Sequence, residues 1–229
     1  MATALRPAPR RHPSPSELVE PLLESHNLRK SYKRGVWPRR RRTEMLKGAS
    51  IELFPGEIVG LVGENGAGKS TLMKILVGTL ERDGGEIHLR GRLGYCPQEP
   101  VLYERLTCEE HLRLFGRAYG LAEPEVLERS RRLYEALDFD SYRDVRVEEL
   151  SGGTQAKLNL ALALLPLPEV LLLDEPYAGL DWDTYLRFWE LAEEQKAAGR
   201  AVLIISHFLA DEERFDRVYD LAGGKAVQR

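Results

Sequence analysis

The chain has 229 residues, of which 43% are apolar, 30% charged and 8% aromatic, a balance that supports one sizeable core and excludes a disordered or fibrous protein. Its charge is uneven: residues 1–47 hold 12 Lys/Arg against four acids, leaving 21 basic against 32 acidic residues in the rest. Such an acidic body speaks against sequence-independent nucleic-acid binding, which needs a broad basic surface to displace counterions from phosphates.

Taken in chain order, residues 1–24 carry prolines at 7, 9, 13, 15 and 21 and too little apolar surface to offset the entropy of ordering, so a disordered tail is expected. Met1 to Ser16 lacks the apolar stretch of a secretory signal. No window reaches the roughly 20 apolar residues of a membrane span, because Pro166, Pro168 and Glu169 interrupt the richest run, Leu158 to Leu173. A cytoplasmic chain is expected, and its two cysteines, Cys96 and Cys108, are read as free thiols. Arg39 to Arg42, after Trp37-Pro38, could face anionic lipid; charge runs are usually solvated, and a loop between two strands is the reading adopted.

Ile58 to Val62, Val170 to Leu173 and Ala201 to Ile205 are short, nearly unbroken apolar runs, the pattern of parallel strands buried on both faces. They end in Gly63, Asp174-Glu175 and Ser206-His207, which puts polar chemistry at the carboxyl ends of strands, where ligands bind in open α/β sheets. Between the first two runs lies a helical insertion. Leu112, Phe115 and Tyr119 recur at helical spacing before Gly120, and Val126, Ser130, Leu133 and Leu137 follow Pro124. A later helix carries Tyr185, Trp189 and Ala192 on one side and ends near Gly199; no internal repeat is present.

Gly63-Glu64-Asn65-Gly66-Ala67-Gly68-Lys69-Ser70 matches G-x-x-x-x-G-K-[ST], between an apolar strand and a helix containing Leu72, Ile75 and Leu76. Glycines let successive backbone N–H groups converge on phosphate oxygens, and the helix N-terminus adds partial positive charge. Lys69 can then reach the β- and γ-phosphates and Ser70 can offer its hydroxyl to Mg²⁺, with Thr71 completing the candidate nucleotide contacts. After the second strand, Asp174 and Glu175 stand side by side, so one carboxylate can hold the metal-water shell while the next takes a proton from attacking water.

Leu150-Ser151-Gly152-Gly153-Thr154-Gln155 resembles the signature of the ATP-binding cassette (ABC) family, and the other cassette elements follow in order: Tyr32, Gln98 in Tyr95-Cys96-Pro97-Gln98, Gly179-Leu180-Asp181, and Ser206-His207. The resemblance covers residue 26 to about residue 226. It implies an α/β P-loop NTPase with a parallel-strand core, an N-terminal antiparallel β part and an inserted α-helical subdomain. On that reading the cassette domain is 25–229, its core 25–98 and 150–229, and its helical subdomain about 99–149.

The resemblance also implies roles. Tyr32 would stack on adenine, Gln98 would touch Mg²⁺ or the attacking water, and His207 would contact the γ-phosphate and steady Glu175. Ser151, Gly152 and Gly153, at the start of a helix beginning near Thr154, would meet ATP held by a second cassette in a head-to-tail dimer, homodimeric or heterodimeric, with Asp181 at the interface. Two positions depart from the family pattern, Thr154 where Gln is often found and Tyr177 where small hydroxylated residues are common. The function implied is the ATP-hydrolysing subunit of a transporter whose permease is a separate polypeptide, peripheral on the cytoplasmic face of the membrane. Leu102 to Thr107 with Glu109-Glu110-His111-Leu112 resembles exporter-type cassettes, an importer being the competing transport reading. The alternative from another class is a soluble cassette acting on ribosomes, DNA or iron–sulfur assembly; the acidic body disfavours a nucleic-acid partner.

Overall fold

The computed structural model describes residues 19–34, 41–177, 179–206 and 209–229. Its elements in chain order are β1 (Leu23–Arg34), β2 (Arg41–Leu53), β3 (Glu57–Val62), α1 (Lys69–Leu76), β4 (Gly84–Leu89), β5 (Leu93–Cys96), α2 (Cys108–Ala118) and α3 (Glu123–Leu137). They continue with α4 (Gly152–Leu164), β6 (Val170–Asp174), α5 (Trp182–Ala197), β7 (Ala201–Ile205), β8 (Arg217–Ala222) and β9 (Lys225–Gln228).

The strands form two sheets. Three make an antiparallel sheet in the order β2-β1-β4, and six make a sheet in the order β5-β6-β7-β3-β8-β9, parallel except for the terminal β8–β9 hairpin. Every residue of β6 and β7 is buried, which is why these strands read as unbroken apolar runs: both faces are covered, and no alternation survives.

Two apolar clusters cover those faces. On one side, Leu23, Leu28, Ile51 and Leu53 of the antiparallel sheet pack with Leu72, Met73 and Ile75 of α1 against Val59, Leu61, Leu172 and Leu203. On the other, Leu112, Val126, Leu137, Leu158, Leu162, Phe188 and Trp189 from α2 to α5 pack against Ile58, Leu171, Leu173 and Val202. The helical arm therefore shares a core with the sheet. It is seated by a capping box, in which Thr107 Oγ1 accepts from the Glu110 amide at 3.2 Å and the Glu110 carboxylate accepts from the Thr107 amide at 2.8 Å. Among the described residues no helix is long and apolar enough to cross a membrane.

Three expectations are corrected. Ordered structure begins before residue 25, because Leu23 opens β1 and is fully buried against the antiparallel sheet; residues 1–18 lie outside the described residues. The arginine run is not all loop: Arg41 and Arg42 belong to β2, and Arg42 Nε donates to Ser31 Oγ at 2.9 Å beside Asp83, which also accepts from the Ser31 amide. Arg39 and Arg40 lie outside the described residues. The signature helix starts at Gly152, two residues earlier than expected, because the Ser151 side chain caps it.

Candidate nucleotide site

The phosphate loop leaves β3 at Gly63, whose φ of 144° and closeness to β8 exclude a side chain: a β-carbon there would lie 2.5 Å from the Leu221 carbonyl oxygen. It enters α1 through Gly68, at φ 108°, where a β-carbon would press on Met45. Lys69, only 6% exposed, is held by its own loop, its Nζ donating to Gly63 O at 2.7 Å and Glu64 O at 3.2 Å. Burial pulls its pKa down, while the charges of Glu175 and Asp174 hold it up. The first turn of α1 has no side-chain cap and no acidic residue, so its amide dipoles are uncompensated and suited to an anion. Glu64, Asn65 and Gly66 form the exposed outer arc of the loop, with Ala67 folded back through its amide onto Glu64 O.

Asp174 closes β6 at 2% exposure, and burial, then the neighbouring Glu175, push its pKa up, opposed by a hydrogen bond with the Ser70 side chain and by Lys74 and Lys69. Its Oδ1 is buried without a hydrogen-bond partner, a group that normally finds one. A hard cation between Asp174, the Ser70 hydroxyl and phosphate oxygens would satisfy it, so the residues present fit Mg²⁺. Among the described residues no group of three or more His, Cys, Asp or Glu is placed to hold a metal ion.

Glu175 sits at φ 51°, a conformation that costs a non-glycine residue free energy, and its amide donates to Ile205 O at 3.2 Å. Gln98 reaches it from beyond β5, Nε2 donating to Glu175 Oε2 at 3.1 Å. Tyr32 projects from β1 onto the start of α1, where its hydroxyl and Thr71 Oγ1 lie 3.3 Å apart. Five of the expected groups, Lys69, Ser70, Asp174, Glu175 and Gln98, are thus brought together, and Tyr32 stands beside Thr71. His207 lies outside the described residues.

The signature segment is elsewhere. Ser151 Oγ accepts from the Thr154 amide at 3.2 Å and lies 2.9 Å from Thr154 Oγ1, so the departure at 154 serves as a buried partner for the cap. Gln155 Nε2 donates to Val147 O and Leu150 O, both at 3.3 Å, fixing the turn before the cap. Ser151 and Gly152 are exposed, and the first turn of α4, like that of α1, holds no acidic residue. Gly153 faces the same chain's Gly179, whose carbonyl oxygen would lie 3.3 Å from an added β-carbon. Asp181 Oδ1 caps α5, accepting from the Thr184 amide at 2.8 Å, and those Thr184 contacts lower its pKa. Tyr177 is buried edge-on against Tyr185 and Phe188, which accounts for a large ring at that departure.

The ABC transporter family profile matches residues 46–178, from β2 through the acidic pair. The chain belongs to the ABC transporter family. It is 33% identical to human ATP-binding cassette sub-family A member 9 over 93% of this chain but only 14% of that protein. It is 34% identical to an uncharacterized ABC transporter ATP-binding protein of Methanocaldococcus jannaschii, over 80% of this chain and 71% of that one. The Nod factor export ATP-binding protein I of Paraburkholderia xenovorans is 35% identical over 86% of this chain and 66% of its own length. Among solved structures, an ATP-binding subunit of an ABC transporter superposes with a TM-score of 0.80 at 33% identity, covering 91% of this chain and 89% of that one. A dimeric bacterial ABC transporter cassette gives 0.82 at 23% identity, over 90% and 97%, a likeness of fold. The expected fold class, with its parallel core, antiparallel part and inserted helices, is the one observed.

Among the buried polar residues whose partners the sequence did not reveal are Asn159 and His111. Asn159 interrupts the apolar stretch of α4, and His111 lies inside α2; both sit where a polar group must find partners, which is the signal that marks them. His111 Nε2 accepts from the Tyr103 amide at 2.8 Å and Nδ1 donates to Thr107 O at 2.9 Å, so the imidazole is neutral and its tautomer fixed.

Proposed function

We propose that this ABC cassette binds Mg²⁺-ATP and hydrolyses it in a head-to-tail pair with a second cassette, driving a separate membrane permease from the cytoplasmic face, in the export direction. The observation that carries the reading is the cluster at the carboxyl end of β6: an unpartnered buried Asp174 oxygen beside Lys69 and Ser70, with Glu175 bonded to Gln98. In this reading the α1 amides and Lys69 bind the β- and γ-phosphates, and Tyr32 stacks on adenine. Ser70, Asp174 and Gln98 would hold Mg²⁺, which would supply charge neutralisation at the phosphate oxygens. Glu175, oriented by Gln98 and His207, takes the proton from attacking water. Ser151, Gly152 and Gly153 address the γ-phosphate on the partner cassette, with Asp181 beside them at the interface.

One feature supports the pairing and another the direction. Of the five α-helices among the described residues, only α1 and α4 lack an acid in the first turn; the others carry Glu109 and Glu110, Glu123 and Glu125, or Asp183. Two helix starts are thereby kept free of negative charge, and only one faces the chain's own acidic pair. The relative from Paraburkholderia xenovorans, by its name an export protein, supports the direction. The test is Glu175→Gln: retained Mg²⁺-ATP binding with turnover reduced by about 10²-fold or more is expected, and full turnover would overturn the base assignment. Isolation of this variant with ATP from gently solubilised membranes should bring down a stoichiometric multi-pass partner; ribosomes or soluble machinery instead would refute the permease.

A further inference from the structure

We infer that Asn159 is a positioning residue for hydrolysis: it fixes the peptide that carries Gln98 to the helix that carries the signature. This rests on the proposed reading of Gln98 and Glu175 as hydrolytic groups. Asn159 lies in the second turn of α4, is 7% exposed, and turns its amide toward the end of β5. Its Nδ2 donates to Pro97 O at 2.8 Å and to Cys96 Sγ at 3.2 Å. The orientation of the amide follows from chemistry, since the Pro97 carbonyl can only accept.

The Pro97 carbonyl belongs to the peptide unit that ends in the Gln98 nitrogen, and proline fixes φ just before it. Holding that carbonyl sets the plane from which the Gln98 side chain departs toward Glu175, 3.1 Å away. A second contact makes the seam rigid: at Gly94 of β5 a β-carbon would lie 2.3 Å from Ala163 O of α4, so strand and helix are packed backbone to backbone. One end of α4 is the Ser151 cap, and its middle holds the Gln98 peptide. A displacement of the signature is therefore delivered to Gln98 through Asn159, and Gln98 delivers it to Glu175.

The test is a double-mutant cycle in the full chain, with Asn159→Leu to remove the donor at similar volume and Gln98→Ala to remove the group it positions. Expected is a loss in kcat of about fivefold for Asn159→Leu with KM for Mg²⁺-ATP within about twofold, as one hydrogen bond misplaced in the transition state should cost. In the Gln98→Ala background the same change should lower kcat by less than about twofold, because the group it acts on is gone. Asn159→Ala also removes the donor; it stands in if the leucine variant does not fold. An equal loss in both backgrounds, or a rise in KM alone, would overturn the inference while leaving hydrolysis intact. Absence of turnover in the unmodified chain would overturn the hydrolytic reading and this inference together.

Discussion

The loop at residues 63–70 and the segment at residues 150–155 are made from the same parts, a glycine-rich turn feeding a helix whose first turn holds no acid, but they differ in what lies opposite them. Across from the loop, the same chain places Asp174, Glu175 and Gln98, and even the Lys69 ammonium is parked on loop carbonyls. Facing Gly153, the described residues place the backbone carbonyl of Gly179, and the Ser151 hydroxyl oxygen accepts from the Thr154 amide. On the proposed function the first serves as the reaction centre, and the second meets phosphates held by another cassette. On that reading an exposed cap with its dipole left uncompensated is the mark of a helix start that meets a group outside the molecule.

Substitutions on the two sides separate them. Lys69→Ala should weaken Mg²⁺-ATP binding by about 100-fold in equilibrium titration, as loss of a charge-assisted contact to phosphate demands. Ser151→Ala should leave that affinity within about twofold yet lower turnover by about tenfold, as the proposed target on the other cassette requires. A mixture of the two defective chains should regain activity over either alone, because one composite site then has both an intact Lys69 and an intact Ser151; failure to complement would overturn the pairing between chains. The same Ser151→Ala change removes a helix cap and should cost about 1 kcal/mol in denaturant unfolding, an effect with no counterpart at Gly68, where no side chain caps α1.

The smallest effect concerns the arm. His111 is buried and held neutral, its pKa lowered by burial against the opposing pull of Thr107 O and Glu110. Below its ordinary value of about 6.5 the unfolded chain takes up a proton that the folded chain refuses, so stability is full above that value and declines as pH falls through it. The thermal midpoint should drop between about pH 7.5 and pH 5.5, and less so in His111→Gln. An identical drop in both proteins would assign the pH response to other groups.

How much of this was legible depends on range. The phosphate loop is readable because its glycines and Lys69 act within eight residues, and β6 and β7 because double burial leaves no alternation to decode. Contacts between distant segments are not written locally. That Asp83 would accept from Ser31, that Gly94 would meet Ala163, or that Asn159 would hold Pro97 depends on register and helix placement across tens of residues. Asp181 is instructive in another way: its expected place at an interface left unseen that its carboxylate first serves as the cap of α5.

Glu175 has a further consequence, for the history of such chains. Its left-handed backbone is a place where glycine or asparagine would rest at lower cost, and strain of this kind is worth about 1 kcal/mol or more. On the proposed role of Glu175 as the base, the carboxylate is held there at a cost in stability. In a lineage that keeps nucleotide binding but dispenses with cleavage, drift toward those residues would be downhill, and silencing of the site would come as a gain in fitness for folding.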